Sequence, residues 1–81
     1  QKFFIEKVKM TINYQEEIKF ISNKIRELRK EKQMTVQELA YRCDMERSNM
    51  SRIESGRTNL TVKTMCIICN ALNVNLRDII R

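Results

Sequence analysis

Apolar residues recur along most of the chain at helical spacing. Ile18, Ile21, Ile25 and Leu28 follow at steps of three, four and three, with charged residues on the other faces, so residues 15–32 read as an amphipathic helix ending near Lys32. Thr35 and Glu38 then stand at capping-box spacing, flanked by Met34 and Leu39 in the positions of a hydrophobic staple. This start predicts a helix from about Val36 to Cys43, with Leu39, Ala40 and Cys43 inward, and Ala40 small enough to let a neighbouring helix approach. Asp44 takes the following turn, tolerating left-handed backbone better than most residues. A helix from about Arg47 to Ser55 comes next. It places Met50, Ile53 and Glu54 on one face and Arg47, Ser48, Ser51, Arg52 and Ser55 on the other. Gly56, the one glycine of the chain, is placed to end it in the left-handed conformation.

After the loop Arg57-Thr58-Asn59-Leu60, Thr61 caps a further helix, with Leu60 and Met65 as a second staple. Val62, Met65, Ile68, Cys69 and Leu72 form its inner stripe, and Asn73 ends it. Asn75 and Asp78 repeat the cap-plus-acid spacing and open a last helix containing Leu76, Ile79 and Ile80. The pattern predicts an all-α domain of five helices over 15–81, preceded by an extension over 1–14. In that extension Phe4, Val8, Met10, Ile12 and Tyr14 alternate with more polar residues as a strand would, while Phe4, Val8 and Ile12 also fit helical spacing. A strand there has no partner elsewhere in the chain. It would pair with a second copy as a dimerisation arm, and the competing reading is a mobile tail.

Composition narrows the function classes. At 81 residues there is room for one small core and none for an enzyme of ordinary size with a buried pocket. No proline and a single glycine agree with an all-helical fold. The net charge is +6, and residues 47–81 carry six basic side chains against two acidic ones, which favours a polyanionic partner, nucleic acid before an acidic membrane surface. Three cysteines without a secretory signal fit a reducing, cytoplasmic setting, and no apolar run approaches the roughly 18 residues of a membrane span. A first residue of Gln1 predicts a fragment or a processed chain, with Met10 as a candidate natural start.

The outer face of the helix at 47–55 holds the candidate chemistry. An α-helix fits the major groove of B-DNA, and side chains near its N-terminus reach base edges while the preceding helix braces on the backbone. Arg47 has the geometry to give two hydrogen bonds to guanine O6 and N7. Ser48 and Ser51 are short donors and acceptors for bases or phosphates, and Arg52, about 1.4 turns on, reaches a second base or a phosphate. A solvated helix face that contacts nothing is the competing reading.

The segment from Ile25 to Ile79 resembles the helix-turn-helix domain of phage repressors and Cro, the XRE-like family. The resemblance lies in IRELRKEKQMTVQELA, MSRIESG and LTVKTMCIICNALNVNLRDI, in the family's order and spacing. Leu39-Ala40, Met45, Met50-Ser51, Ile53-Glu54, Gly56 and Leu72 fall on its core and turn positions. It implies a recognition helix at about 47–55 and a two-fold dimer on a near-palindromic operator of double-stranded DNA. It also implies that Arg29, on the first helix, pairs with Glu54, partly buried and close to the DNA backbone. Backbone contacts are expected from Arg57, Thr58, Asn59 and Lys63 after the recognition helix, and from the flanking Thr35, Gln37 and Ser55.

Three positions depart from the family pattern. Val36 replaces the usual Gln that opens the second helix, leaving only its backbone N–H for a phosphate; Asp44 replaces the turn Gly. Glu46 replaces the hydroxyl cap of the recognition helix. It suits the helix dipole, repels phosphate, and is able to accept from cytosine N4.

Cys66 and Cys69 form a CxxC, but a zinc site needs four ligands and the chain has no histidine, so both read as core packing and no metal or cofactor is expected. Ile67, with Ile79, Ile80, Phe3 and Phe4, is a candidate dimer patch; the bland reading is a lone surface isoleucine. No nucleophile–base pair or phosphate-cradling loop points to catalysis. The sequence thus predicts a cytoplasmic, sequence-specific DNA-binding regulator, a repressor acting as a homodimer, with no membrane association or small-molecule ligand. The rivals are the same fold as an antitoxin or protein-interaction module, and the control protein of a restriction system.

Overall fold

A computed structural model describes residues 11–81. It contains four α-helices: α1 (Tyr14–Glu31), α2 (Val36–Arg42), α3 (Arg47–Glu54) and α4 (Val62–Leu72). The expected fifth helix is a single 3-10 turn, Leu76–Asp78. Its cap is present, with the Asn75 N–H donating to Asp78 Oδ2 at 2.8 Å. An α-helix would turn Leu76, Ile79 and Ile80 to one side. Here Ile79 alone is fully buried, Ile80 is exposed, and the Ile79 N–H closes a tight three-residue ring onto Leu76 O (3.0 Å). There is no strand among the described residues; the strand considered for 1–14 falls mostly on residues outside them. Residues 11–13 lead into α1, whose cap is Asn13, its Oδ1 accepting from the N–H groups of Gln15 (2.9 Å) and Glu16 (3.2 Å).

The four helices end in one way. In each, a residue with positive φ follows the last turn: Gln33 (59°), Asp44 (57°), Gly56 (79°) and Asn73 (59°). The next N–H reaches back five residues to a carbonyl of that last turn: Met34 to Arg29, Met45 to Ala40, Arg57 to Arg52 and Val74 to Cys69, at 2.9–3.1 Å. This is the Schellman arrangement, and three of the four residues after the left-handed position are apolar and return to the core. The turns are therefore short because each helix is stopped and its chain redirected within two residues.

The helices enclose one core. Ile25, Leu39, Met50, Ile53, Ile68, Leu72 and Ile79 are fully buried, with Met34 and Met65 behind the caps of α2 and α4. Thr35 accepts from the Glu38 N–H (3.0 Å) and Thr61 from the Thr64 N–H (3.1 Å). The return bond of the first capping box is not formed, because the Glu38 carboxylate faces Arg42 instead (3.0 Å).

On α1 the deepest line is not the expected isoleucine stripe. It runs through Ser22, Ile25 and Arg29, while Ile18, Ile21 and Leu28 are half-buried. Ser22 lies where α1 passes Gly56 beyond the end of α3; a Cβ on Gly56 would make only an ordinary contact with Ser22 Oγ, at 3.8 Å. Val62, expected inward on α4, is exposed. At the far end of the chain, Arg81 forks onto Glu17 (3.2 and 3.3 Å) over the Phe20 ring. That contact draws residues after the 3-10 turn against α1.

Arg29 and Glu54 lock α3 to α1. The guanidinium donates from Nε to Glu54 Oε2 (2.7 Å) and from Nη2 to Oε1 (3.0 Å), and its Nη1 donates to Met34 O (2.7 Å). Both side chains are buried, so removing either leaves the other as an uncompensated charge. Arg29→Ala or Glu54→Ala is expected to cost about 3–5 kcal/mol in denaturant unfolding, and the double change Arg29→Met, Glu54→Leu much less than the sum. Gln33→Gly should instead stabilise by ~0.5–1 kcal/mol, since glycine relieves the left-handed strain; a lower unfolding midpoint would contradict this.

Candidate nucleic-acid interface

The outward side of α3 is built by what its inward side buries. Met50, Ile53 and Glu54 are held against the core and Arg29, which leaves Arg47, Ser48, Ser51 and Arg52 exposed along one face. Among the described residues neither arginine is in an ion pair, so both guanidinium groups are free to take a partner. The N-terminus of α3 is open as well: Glu46 makes no side-chain cap, and the first amide bonded within the turn is that of Asn49, to Glu46 O (3.1 Å). Its positive dipole end is thus exposed.

Asn49, not singled out from sequence, is also exposed, at the margin of this face. So is Tyr41, the most exposed large apolar side chain described, at 83%. It stands one turn after Gln37 on α2, and that i, i+4 spacing was the available signal. Gln37, Tyr41, Met45, Glu46 and Arg47 line an open cleft of about 270 Å³ between α2 and α3. The structure therefore joins Gln37 and Arg47, one expected on a phosphate and one on a base, at a single edge, with Glu46 between them.

The other expected backbone contacts differ in what they present. Gln37, Arg57, Asn59 and Lys63 are exposed. Thr35 accepts the Glu38 N–H with its oxygen, which leaves the hydroxyl proton free to donate. Ser55 is exposed, but its hydroxyl donates to Arg52 O (2.8 Å), so in this arrangement it turns only lone pairs outward. Thr58 Oγ1 is buried and without a partner.

The cysteines divide. Cys43 and Cys69 are buried, and Cys66, expected in the core, is exposed. Burial pushes the Cys43 thiol up; at Cys69 burial does the same, with Cys66 and Asp78 adding to it. No group of three or more potential metal ligands occurs among the described residues. Ile79 belongs to the core rather than to a dimer patch, leaving half-buried Ile67 and exposed Ile80 of the described candidates; Phe3 and Phe4 lie outside the described residues. None of the described helices is long and apolar enough to cross a membrane.

Residues 25–79 match the Helix-turn-helix family HTH_3. Among solved structures, the chain is similar to the clp gene regulator ClgR from C. glutamicum, at 24% identity and TM-score 0.74, over 76% of this chain and 80% of that one. It is similar to the restriction-modification controller protein C.AhdI from Aeromonas hydrophila, at 24% identity and TM-score 0.73, over 76% and 94%. A third similarity is to the restriction-modification controller protein C.Esp1396I, at 33% identity and TM-score 0.70, over 79% and 80%. No curated protein matches the sequence at a significant level.

In the folded protein a thiol reagent should modify Cys66 alone, because the reactive thiolate is disfavoured at the two buried sites. Mass spectrometry of the alkylated chain checks this; early labelling of Cys43 would mean that α2 opens readily.

Proposed function

The chain belongs to the HTH_3 helix-turn-helix family of DNA-binding transcriptional regulators, and on that premise we propose that it reads double-stranded DNA through α3 as a homodimeric repressor. The observation that carries this reading is the free outer face of α3: Arg47, Ser48, Ser51 and Arg52 are exposed, and neither arginine is in an ion pair among the described residues. Arg47, at the open N-terminal turn, is the main base reader, with Ser48, Ser51 and Arg52 beside it. Gln37, Thr35, Arg57, Asn59 and Lys63 hold the phosphates on either side. Ser55 joins them only if its hydroxyl rotates away from Arg52 O, and Thr58 only if its side chain turns Oγ1 to the surface. The domain over 15–81 is the DNA-binding unit, and the extension over 1–14 is a tail or a dimerisation arm. Two copies on a near-palindromic operator place their recognition helices about 34 Å apart, one turn of DNA.

Control of a restriction-modification system is a second reading. It is favoured by the 33% identity to C.Esp1396I, a controller protein, and by the likeness to C.AhdI. Both readings use the same face of α3 and differ in the gene controlled.

Selection of bound sites from random DNA at two salt concentrations tests the proposal: a palindrome is expected, and absence of enrichment at either salt favours a protein-interaction module. Arg47→Ala should cost about 1–3 kcal/mol and relax preference at one base position. Lys63→Ala should weaken binding uniformly and lower the salt slope by about 1.

A further inference from the structure

α4 carries a cysteine pair that the α3 face does not use. Cys66 and Cys69 lie three residues apart in the middle of α4, so they share one side of the helix, and both are free thiols. They differ in access. Cys66 is exposed, whereas Cys69 is buried and its Sγ donates to the carbonyl of Asn75 (3.7 Å), the residue that caps the 3-10 turn. Burial first, and then the charges of Cys66 and Asp78, push the Cys69 thiol up, so the two thiols stand close enough to act on each other. Attack on an outside oxidant therefore falls to Cys66, and Cys69 is placed to resolve what forms there.

Helix geometry sets what a bond between them does. Cα atoms three residues apart on an α-helix are separated by about 5 Å, within the range a disulfide accepts. Their Cβ atoms stand about 5–6 Å apart, and a disulfide needs roughly 3.5–4.5 Å. The bond therefore closes only if this turn of α4 deforms. Met65, Ile68 and Leu72 of the same helix are core residues, and α4 packs on both α1 and α2. Oxidation also removes the thiol proton from Asn75 O and shifts Cys69 O, which accepts the Val74 N–H at 3.0 Å. A disulfide closed against a packed helix is strained, and strained disulfides are the readily reduced, regulatory kind.

We infer that Cys66 and Cys69 form a reversible disulfide that loosens α4 in response to a low-molecular-weight disulfide such as oxidised glutathione. The Cys66 thiol loses its proton to solvent, and its sulfur attacks one sulfur of the oxidant. The oxidant's S–S bond breaks, and one thiolate leaves and takes up a proton. The deprotonated Cys69 then displaces the second thiolate from the mixed disulfide at Cys66. Two protein thiols are oxidised by two electrons in all, and one disulfide is reduced to two thiols. No residue of α3 is a cysteine, so the switch acts on the frame behind the α3 face rather than on that face.

The full chain is equilibrated in glutathione buffers of rising oxidised-to-reduced ratio, alkylated, digested with trypsin and analysed by mass spectrometry. Cleavage after Lys63 and Arg77 puts both thiols, and not Cys43, in one peptide, 64–77. At high ratio that peptide should be lighter than its unalkylated dithiol form by two hydrogens, and lowering the ratio should restore the dithiol. The oxidised chain should melt several degrees below the reduced one. Cys66→Ser, a change at an exposed position that leaves the core intact, should abolish both effects. Cys69→Ala should stop at a glutathione adduct on Cys66, which identifies the resolving thiol. A glutathione adduct, or a dimer linked through Cys66, as the only product of the parent chain would overturn the pairing. An internal disulfide with an unchanged melting midpoint would overturn the switch, and so would a fall in midpoint that persists in Cys66→Ser.

Discussion

Arg29 is the joint on which the arrangement depends. One guanidinium satisfies both oxygens of Glu54 and the carbonyl of Met34, and so ties α3, α1 and the α1–α2 turn through a single planar group. A lysine has no fork to make these three bonds in fixed directions. The pair is not evidence of high stability, because two charges taken out of water lose much of what they regain from each other. What it does supply is direction. α3 is only eight residues long and has two large apolar side chains, Met50 and Ile53, with which to hold its place. A third anchor that resists sliding and rotation fixes which of its side chains point outward.

The helix ends impose a second constraint. Four Schellman turns require four left-handed residues, and glycine supplies one. Asn73 and Asp44 are tolerable substitutes; Gln33 is not a favoured one. That strain is offset locally, because the residue after Gln33 is Met34, whose side chain enters the core and whose carbonyl receives Arg29. The site of greatest backbone cost is thus the site where the buried pair reaches the chain, and the two features hold each other in place.

Much of this was legible in the sequence, and the exceptions share a cause. Caps at Thr35 and Thr61, their staples, the stop at Gly56 and the extent of α2, α3 and α4 depend on neighbours a few residues away, and local spacing reveals them. Gln33 is silent in the sequence because its side chain gives no hint of positive φ; the conformation is imposed by Met34 returning to the core. On α1 the apolar stripe is rotated from the buried line, since Arg29 is buried by its pairing with Glu54 on α3 and Ser22 where α1 passes Gly56, contacts that hydrophobicity does not register. Periodicity alone points Cys66 and Val62 inward, and the real core uses a narrower arc of α4. The last segment has the cap of a helix and the burial pattern of a tighter turn. At the candidate interface the outer face of α3 followed from spacing. Tyr41 carried only the signal of its spacing from Gln37 and Asn49 carried none, because which exposed side chains border the interface depends on two helices together.

The division of α3 has a consequence for how such a domain changes its target. Met50, Ile53 and Glu54 are each engaged with other elements, so a substitution there alters the pose of the whole helix. Arg47, Ser48 and Asn49 make no side-chain hydrogen bond within the described residues and are solvent-exposed, so exchanging them leaves packing untouched. Surface changes of that kind usually move stability by less than about 0.5 kcal/mol. Making or breaking one bidentate bond to a base moves discrimination by about 1–3 kcal/mol. On the proposed reading, readout can therefore vary almost freely on a frame that cannot, and the fold is shared with the three similar structures at 24–33% identity. The departures at Asp44 and Glu46, both exposed, fit the same logic, whereas Val36 packs against the core. Asp44 sits in the α2–α3 turn, which its left-handed conformation satisfies, and the Glu46 side chain is held by no cap bond.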